Sequence, residues 1–377
     1  MKQYIDPNPG RETWEDRRAW QGCPTVAVTL GGRVFAGWYT GGLTEPCIDN
    51  FNVLVLSDDG GETWSRPILA VYTDRKNRVR NIDIQLWVDE KGQLWVMWTH
   101  SPYPEGAPSA SIRNPVPLNY HDDFPCTELL LCRDPDAEEL RWEDPRVICG
   151  GFLRCKPIRT SDGRYLFPAY DWKDSDRYLL RVSDDGGGTF RDLETAEKPQ
   201  KRVFDETMVF ETPGGGLRLL ARTNLGYYAT AFSPDGGTTW GETEAYEPAP
   251  STRMFIGRLQ SGRLAYVRNI SDTARTGMKI SLSEDDGKTW RASLTLDARE
   301  NVSYPDLAQD ADGRIYVIHD RERDNRLKLD RSTWRSGAAK EILLSRITEE
   351  DILRGRIGEG SYLARVISRG GIDFVEK

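Results

Sequence analysis

The strongest constraint on the fold is a short pattern, Ser-x-Asp-x-Gly-x-Thr followed by an aromatic residue, which occurs four times in the chain. The copies are SDDGGETW from Ser57, SDDGGGTF from Ser183, SPDGGTTW from Ser233 and SEDDGKTW from Ser283. The last three begin 50 residues apart, and a degenerate copy, CRDPDAEELRW, begins at Cys132. In each copy the Asp side chain is suited to cap turn amides, and the Gly allows a positive φ. The pattern therefore predicts a tight turn that recurs in a regular structural repeat.

A second repeat interleaves with the first and consists of a glycine followed by a short, β-prone apolar run. Its six copies read GGRVFAGWY, KGQLWVMW, DGRYLFPAY, GGLRLLAR, SGRLAYVR and DGRIYVIH. Another apolar stretch precedes each copy, which is the pattern of a β-hairpin. Helical periodicity is nearly confined to TEEDILRG, from Thr348 to Gly355. Six units of about four short strands predict an all-β, six-bladed β-propeller, with residues 1–377 forming a single domain.

The most irregular segment is the Pro-rich stretch from Ser101 to Pro125. It falls between two predicted strands of the second blade and is expected to be a long loop. A loop of this length is either a tolerated insertion or one wall of a pocket, and the sequence leaves both open.

Charge and hydropathy exclude several classes of partner. The net charge of -8 and the pI of about 5.2 argue against nucleic acid, whose phosphates require a basic surface. No apolar run approaches the roughly 20 residues of a membrane span, so no membrane association is expected. The opening MKQYIDPNPGRETW lacks the apolar core of a signal peptide, which predicts a cytoplasmic protein unless a signal has been removed. Nothing in the sequence determines the oligomeric state.

The cysteines and histidines do not form a recognisable metal site. The six cysteines are expected to be free thiols in a reducing compartment, mostly buried as small apolar side chains. Their spacings are not those of zinc knuckles, and the chain has only three histidines, which are His100, His121 and His319. There is also no nucleotide-binding loop and no Ser-His-Asp order. We therefore expect neither a metal nor a cofactor.

The innermost strand of each propeller blade runs along the central axis, so the residues before each glycine hairpin are expected to face one shared channel. Most of these residues are charged or can ionise. The residues before the six hairpins are Gly22-Cys23-Pro24, Asp83, Lys156-Pro157, Asp205-Glu206, Arg253 and Tyr304-Pro305-Asp306. A ring of such residues is a better candidate for a functional site than any one of them alone.

With these repeats and channel residues, the sequence resembles the sialidase (neuraminidase) superfamily, whose six-bladed propellers carry the first pattern as "Asp boxes". The resemblance extends over nearly the whole chain. Because Asp boxes are structural and also occur in propellers that are not sialidases, they indicate the fold much better than the activity. Candidate functional residues must be matched one by one.

Three segments match the sialidase pattern closely enough to suggest roles. SYPDL, from Ser303 to Leu307, resembles the segment that carries the nucleophilic tyrosine, which implies this role for Tyr304. DETMVFETPGGGLRLLAR resembles the segment with a Glu before a Gly turn and an Arg on the returning strand, which implies Glu206 as the base and Arg222 as a substrate ligand. TARTGMKISLSEDDG resembles the stretch with a further substrate arginine, which implies Arg275.

The acid that protonates the leaving group has two candidates in the loop GGLTEPCIDNFNVL. Spacing to the following Asp box favours Glu45, whereas residue type and the Asp-Asn context favour Asp49. Asp83 resembles a second pocket aspartate of the family. The remaining candidate sugar-binding residues are Lys156, Arg253 and Asp306.

One position departs from the family pattern. Sialidases open with an Arg-Ile-Pro motif whose arginine is the first of three that hold the substrate carboxylate, but the matching stretch here is QGCPT, with Gly22 in place of that arginine. Lys156 or Arg253 could supply the missing cation from another blade, and Arg17 or Arg18 could fold back to supply it.

The resemblance implies a retaining exo-glycosidase that removes a terminal sialic acid or a related acidic sugar from a glycan. A sialic acid carries a carboxylate on its anomeric carbon, which repels a carboxylate nucleophile but not a neutral phenol. The absent arginine leaves a second interpretation open, in which the same fold acts as a hydrolase or lyase on a different saccharide. A propeller that binds carbohydrate without catalysis is the third.

Overall fold

The computed structural model describes residues 2–18, 20–42, 45, 48–103, 125–170, 176–200, 204–322 and 340–370. In this part of the chain nearly all regular structure is β-strand, arranged as six blades around a central channel. The predicted all-β, six-bladed propeller is therefore confirmed. Each blade is built from consecutive strands, and its first long strand lies next to the channel.

The strands of the first three blades are antiparallel to their neighbours. Blade 1 contains β1 (Ile5–Asp6), β2 (Gln21–Val28), β3 (Val34–Thr40), β4 (Phe51–Ser57) and β5 (Leu69–Val71). Blade 2 contains β6 (Val79–Val88), β7 (Leu94–Pro102), β8 (Cys126–Cys132) and β9 (Arg146–Gly150). Blade 3 contains β10 (Phe152–Leu153), β11 (Ile158–Arg159), β12 (Tyr165–Phe167), β13 (Ala169–Tyr170), β14 (Arg177–Ser183) and β15 (Arg191–Glu197). In blade 3, β10 pairs only with β13, so the inner strand is divided into two short pieces, β10 and β11.

The last three blades are regular four-stranded meanders. Blade 4 contains β16 (Met208–Glu211), β17 (Leu217–Ala221), β18 (Tyr227–Ser233) and β19 (Glu244–Pro248). Blade 5 contains β20 (Phe255–Arg258), β21 (Leu264–Asn269), β22 (Thr276–Ser283) and β23 (Ala292–Glu300). Blade 6 contains β24 (Val302–Gln309), β25 (Ile315–Arg321), β26 (Glu341–Ile347) and β27 (Tyr362–Arg369).

The six glycine-led runs form the second strand of each blade, which are β3, β7, β12, β17, β21 and β25. The Pro-rich segment lies between β7 and β8, as expected, but residues 104–124 are outside the described part of the chain.

The four Asp boxes adopt one common turn between the third and fourth strands of blades 1, 3, 4 and 5. In the blade 4 copy, Gly237 N donates to Ser233 Oγ at 2.8 Å, and Asp235 Oδ1 and Oδ2 accept from Thr239 N and Oγ1 at 2.8 and 2.7 Å. The other three copies repeat these bonds. The Asp side chain therefore satisfies turn donors, as the sequence predicted.

The two remaining blades replace the Asp box with different structures at the same place. In blade 2, β8 ends at Cys132, where the degenerate copy begins. In blade 6, β26 is followed by the short helix α1 (Glu349–Arg354). Thr348 and Asp351 form a capping box at its start, and Gly355 ends it with φ 65°. This is the helix that the sequence predicted between Thr348 and Gly355.

The hydrophobic core is distributed between neighbouring blades, and the first and last blades close the ring by side-chain packing. Val26 and Val53 of blade 1 pack in one buried cluster with Tyr316 and Ile342 of blade 6. Hydrogen bonds across the same junction include Gln21 Nε2 to the carbonyl of Lys340 at 2.8 Å. The described strands of blade 6 all come from the C-terminal part of the chain, so packing rather than strand exchange holds this junction.

The inner strands run in the same direction, and equivalent residues meet at the same level of the channel. Asp306 Oδ2, from β24, accepts hydrogen bonds from Thr25 Oγ1 of β2 at 2.7 Å and from Gln85 Nε2 of β6 at 3.4 Å. Thr25, Gln85 and Asp306 lie two residues after Cys23, Asp83 and Tyr304, respectively, which are the residues predicted to face the channel. The N-terminal ends of the inner strands therefore gather at one end of the channel.

Candidate active site

Four residues at this end of the channel have left-handed backbone conformations that are rare outside glycine. Their φ angles are 55° for Cys23, 64° for Asp83, 39° for Glu206 and 54° for Tyr304. In β2, β6 and β24 the ladder register shifts at the residue concerned, which marks a β-bulge. Bulges redirect side chains, and strained backbone of this kind, costing about 1–3 kcal/mol per residue, clusters at functional sites.

Tyr304, Glu206 and Arg222 form a buried triangle of polar contacts. Tyr304 Oη donates to Glu206 Oε1 at 2.6 Å, while Arg222 Nη1 lies 2.8 Å from Glu206 Oε2 and 3.1 Å from Tyr304 Oη. The relative exposures of Tyr304, Glu206 and Arg222 are 3%, 1% and 9%. Glu206 and Arg222, which lie near the two ends of the DETMVFETPGGGLRLLAR segment, thus both contact the tyrosine of another blade.

The Glu206 carboxyl remains ionised in this environment. Burial alone would raise its pKa, but the guanidinium groups of Arg222 and Arg154, together with the Tyr304 hydroxyl, outweigh burial and lower the pKa to about 2. An ionised carboxylate that accepts the phenol hydrogen bond is positioned to take the proton when Tyr304 acts as a nucleophile.

Three further arginines surround the Tyr304 ring. The guanidinium carbons of Arg154, Arg253 and Arg275 lie 5.5, 5.6 and 5.6 Å from the ring centroid. Arg253 Nη2 donates to the carbonyl of Pro305 at 2.6 Å, and Arg275 Nη2 donates to the carbonyl of Ser251 at 3.2 Å. The phenol therefore lies in a strongly positive environment that favours an anionic ligand.

Arg154 is the functional candidate that the sequence analysis missed. Its Nη2 lies 2.9 Å from Asp83 Oδ1, and its guanidinium also lies 5.6 Å from the centroid of the Tyr39 ring. Its Nη1 is buried without a hydrogen-bond partner. Because the inner strand of blade 3 is interrupted between β10 and β11, the channel-facing residue lies two positions before Lys156, the residue chosen from the sequence.

Asp83 is buried beside this arginine. Burial raises the pKa of the Asp83 carboxyl to about 6 against the opposing effect of Arg154, and the nearby Glu45 and Glu206 raise it further. Neighbouring arginines therefore keep the Glu206 carboxyl ionised, whereas burial disfavours ionisation of the Asp83 carboxyl.

The two acid candidates lie in different surroundings. Glu45 accepts a hydrogen bond from the hydroxyl of Tyr39, and its Oε2 lies 3.9 Å from Cys23 Sγ. Tyr39 and Cys23 belong to the same buried cluster as Tyr304. Asp49, in contrast, forms an ion pair with the exposed Arg75. The structure therefore places Glu45 in contact with the Tyr304 cluster and pairs Asp49 with an exposed arginine.

Comparison with known proteins identifies the architecture. Residues 135–317 match the model of a BNR repeat-like domain. Among solved structures, an intramolecular trans-sialidase from Ruminococcus gnavus is 17% identical, with 92% of this chain and 98% of that chain covered and a TM-score of 0.67. A leech intramolecular trans-sialidase is 15% identical, with 94% and 71% covered and a TM-score of 0.69. The NanB sialidase from Streptococcus pneumoniae is 17% identical, with 84% and 68% covered and a TM-score of 0.63.

Residues 135–317 therefore carry a BNR repeat-like domain, and the chain has the six-bladed propeller fold of these sialidases. A search of curated proteins gave no match. At these identities the solved structures share the fold with this chain, so the activity has to be argued from the residues in its channel.

In this propeller, Arg154 is connected to the Gly22 position through Tyr39. Gly22 pairs with Tyr39 in the ladder between β2 and β3, and Arg154 lies over the Tyr39 ring. Of the cations expected to compensate for Gly22, Arg253 reaches the Tyr304 ring but is held by backbone carbonyls. Arg17 is exposed, and Arg18 stacks over Trp38 instead of entering the channel.

Lys156 and Asp306 belong to a separate polar network, two residues further along β24 than Tyr304. Lys156 Nζ lies 3.0 Å from Asp306 Oδ2 and donates to the carbonyl of Val26. Asp306 also accepts from Thr25 and from Val26 N. These contacts join the inner strands of three blades, which favours a structural role over sugar binding for both residues.

The remaining expectations concern cysteines, metals and membranes. Cys126, Cys132, Cys149 and Cys155 form no disulfide with another described residue, and Cys47 lies outside the described residues. Within the described ranges, no three His, Cys, Asp or Glu side chains converge as metal ligands. Nor does any described helix have the length and apolar character needed to cross a membrane.

Proposed function

We propose that the protein is a retaining exo-glycosidase that removes a terminal sialic acid or a related acidic sugar from a glycan. The observation that supports this proposal is the hydrogen bond of Tyr304 to the ionised Glu206 inside a group of four arginines. The phenol is a nucleophile that a substrate carboxylate does not repel, and guanidinium groups bind carboxylates through charge-assisted hydrogen bonds.

In the first chemical step, Tyr304 Oη attacks the anomeric carbon as its proton passes to Glu206. The bond to the leaving oxygen breaks, and Glu45 protonates that oxygen. In the second step, Glu45 takes a proton from water, the water oxygen attacks the anomeric carbon, the bond from that carbon to Tyr304 Oη breaks, and Glu206 returns the proton to the phenolate oxygen. Two displacements on one carbon retain its configuration.

We assign the substrate carboxylate to Arg222, Arg275 and Arg154. Arg222 and Arg154 are nine-tenths buried, and Nη1 of Arg154 and Nη1 of Arg275 have no hydrogen-bond partner within the described ranges. Buried donors of this kind gain most from an anionic acceptor. Arg154 then occupies the role that the absent arginine at Gly22 would have had, from blade 3 instead of blade 1.

A panel of aryl glycosides tests this proposal. The α-sialoside, a β-glucuronide, an α-galacturonide and a neutral β-galactoside are assayed with the wild type and with Glu206→Gln. We expect release of the aryl group from an acidic member, strong loss in Glu206→Gln, and a first-formed sugar of retained configuration by NMR. Hydrolysis of the neutral galactoside alone, or inversion of configuration, would contradict the proposal. Turnover of a uronide but not of the sialoside would favour the interpretation in which the fold acts on another acidic saccharide.

Binding is measured in parallel because Tyr304 is almost fully buried. Slow entry of a sugar to this buried residue and absent chemistry have to be distinguished. Isothermal titration of Tyr304→Phe with each free sugar acid makes this distinction, since that variant lacks only the nucleophilic oxygen.

A further inference from the structure

A second candidate site lies outside the channel, in a cleft on the rim of blade 1. The cleft is lined by the N-terminal segment, the turn after the first Asp box and the end of β27, and it has a volume of about 450 Å³. We call it the rim cleft and define it by Trp14, Arg18, Trp64, Arg66 and Ser368. Its volume is in the range of small-ligand pockets, which are usually lined by aromatic side chains with a few convergent polar groups.

The aromatic side chains of the rim cleft are partly open to solvent. Trp14 and Trp64 are half-buried, in contrast to the core residue Trp38 beneath them, which is 1% exposed. The guanidinium of the exposed Arg66 stacks on the Trp14 ring at 3.3 Å from its centroid. Arg66 therefore covers one face of the Trp14 ring, and a ring-shaped ligand would pack against the surface of Trp14 that remains open and against Trp64.

Arg18 is a buried cation at the floor of the cleft whose donors are only partly used. It is 2% exposed, and its Nη2 donates to Ser368 Oγ at 3.3 Å. Its Nε and Nη1 are buried and have no hydrogen-bond partner among the described residues. Burial lowers the pKa of Arg18 to about 10, which leaves it charged at neutral pH.

The indole nitrogen of Trp64 is also a buried donor without an acceptor among the described residues, which distinguishes it from the tryptophans of two other Asp boxes. Trp240 Nε1 donates to the carbonyl of Gly237 at 3.1 Å, and Trp290 Nε1 donates to Tyr246 Oη at 2.9 Å. Trp64 occupies the equivalent position in the blade 1 box, yet its Nε1 is buried without a hydrogen-bond partner in the part of the chain that the structure describes. The rim cleft thus brings together an indole donor and two guanidinium donors that lack acceptors.

We propose that the rim cleft is a second saccharide-binding site, separate from the channel. A sugar ring would pack its apolar face on Trp14 and Trp64, and its oxygens would accept hydrogen bonds from Arg18 and Trp64. Glu15, which also lines the cleft, offers an acceptor for sugar hydroxyls. A hydroxyl group both donates and accepts, so a saccharide fits this mixture of donors and acceptors better than a purely anionic or a purely apolar ligand. The proposal does not depend on catalysis in the channel.

The test uses methyl glycosides of galactose, N-acetylglucosamine and glucuronic acid as probes, detected by saturation-transfer NMR and by tryptophan fluorescence. Trp64→Phe removes the indole donor and keeps an aromatic ring, and Phe190 shows that an Asp box accepts phenylalanine at this position. The matched control is Trp240→Phe, whose indole already has a partner within its own box. Arg18→Met and Trp14→Ala test the floor and the wall of the cleft.

We expect at least one probe to bind the wild type and the Trp240→Phe control equally, and to bind Trp64→Phe and Arg18→Met at least ten-fold more weakly. Turnover in the channel should be unchanged in Trp64→Phe. If no probe binds, or if all variants bind it as the wild type does, the proposal is wrong and water satisfies these donors. Trp14→Ala replaces a half-exposed residue, so it keeps the test valid if a buried variant fails to fold.

Discussion

Arg154 Nη2 lies 2.9 Å from Asp83 Oδ1, joining the inner ends of blades 2 and 3 directly beside Tyr304. The pair holds a guanidinium against the rings of both Tyr39 and Tyr304. Tyr39 is the ladder partner of Gly22, so the pair places a cation over the ring next to the position where the sialidase pattern has its first arginine.

Replacing Arg154 should impair turnover of an acidic substrate much more than that of a neutral one. We expect Arg154→Met to lower kcat/KM for the acidic glycoside by about 100-fold to 1,000-fold, or roughly 3 to 4 kcal/mol, because a desolvated charge pair with the substrate is lost. Steady-state kinetics measure this effect. Arg159→Met, which removes a half-exposed arginine nearby in sequence, is the control and should behave as the wild type.

Introducing arginine at Gly22 should not improve the wild type. Gly22 is buried, so an arginine there would have to be accommodated in the interior, and its charge would add to that of the arginines around Tyr304. In contrast, Gly22→Arg combined with Arg154→Met should recover part of the activity that Arg154→Met loses. If Gly22→Arg alone raises kcat/KM for the sialoside, Arg154 does not occupy the missing role.

Asp83 should make the stability of the protein fall as the pH rises from about 4 to about 6. Its pKa is raised from 3.8 to about 6, so its contribution to stability is complete below pH 4 and is lost as the carboxyl ionises in the folded state. The change is at most about 3 kcal/mol. Urea unfolding of the wild type and Asp83→Asn at pH 4, 5, 6 and 7 measures it. A difference between the two that does not vary with pH would show that Asp83 does not titrate in this range.

Glu206 should have the opposite pH dependence. Its pKa is lowered from 4.5 to about 2, so its ionised form stabilises the fold above pH 4.5, and this stabilisation is lost as the pH falls toward 2. Glu206→Gln should therefore be less stable than the wild type at pH 7, with a difference that narrows between pH 4.5 and pH 3. Unfolding curves at pH 7, 5, 4 and 3 test this, and a gap that widens on acidification would contradict it.

The Asp boxes should contribute to stability without contributing to catalysis. Asp235 accepts hydrogen bonds from Thr239 N, Thr239 Oγ1 and Ser233 Oγ. Asp235→Ala leaves these turn donors without their acceptor and should lower Tm, while kcat/KM stays at the wild-type value. Asp235→Asn, which keeps part of the hydrogen bonding, should lower Tm less. Loss of kcat/KM in a folded Asp235→Ala protein would contradict this division.

The propeller could be predicted from the sequence because its determinants are local and repeated. The Asp boxes and the glycine-led strands each specify one turn or hairpin from neighbouring residues, and six copies define the ring. Tyr304, Glu206 and Arg222 could be placed for the same reason, since each lies at a fixed offset from a hairpin. Their roles rest on resemblance, and the structure adds their mutual distances.

Other parts of the candidate site depend on contacts that the sequence does not encode locally. Arg154 was missed because the break between β10 and β11 moves the channel position of blade 3 by two residues. Glu45 and Asp49 could not be ranked because partners distant from their loop, such as Arg75 and Tyr39, determine where each carboxylate lies. Both cases reflect tertiary contacts that override a regular repeat.

The central claim is that Tyr304 is the nucleophile, and the most direct test is peptide mass spectrometry of the enzyme quenched during turnover. The substrate is the activated aryl glycoside that the wild type cleaves fastest. The account predicts one glycosyl residue covalently attached to the peptide that contains Tyr304 and no attachment in Tyr304→Phe, which should keep its fold and lose most turnover. A glycosyl residue found on Glu206 or another side chain, or undiminished turnover by Tyr304→Phe, would contradict it.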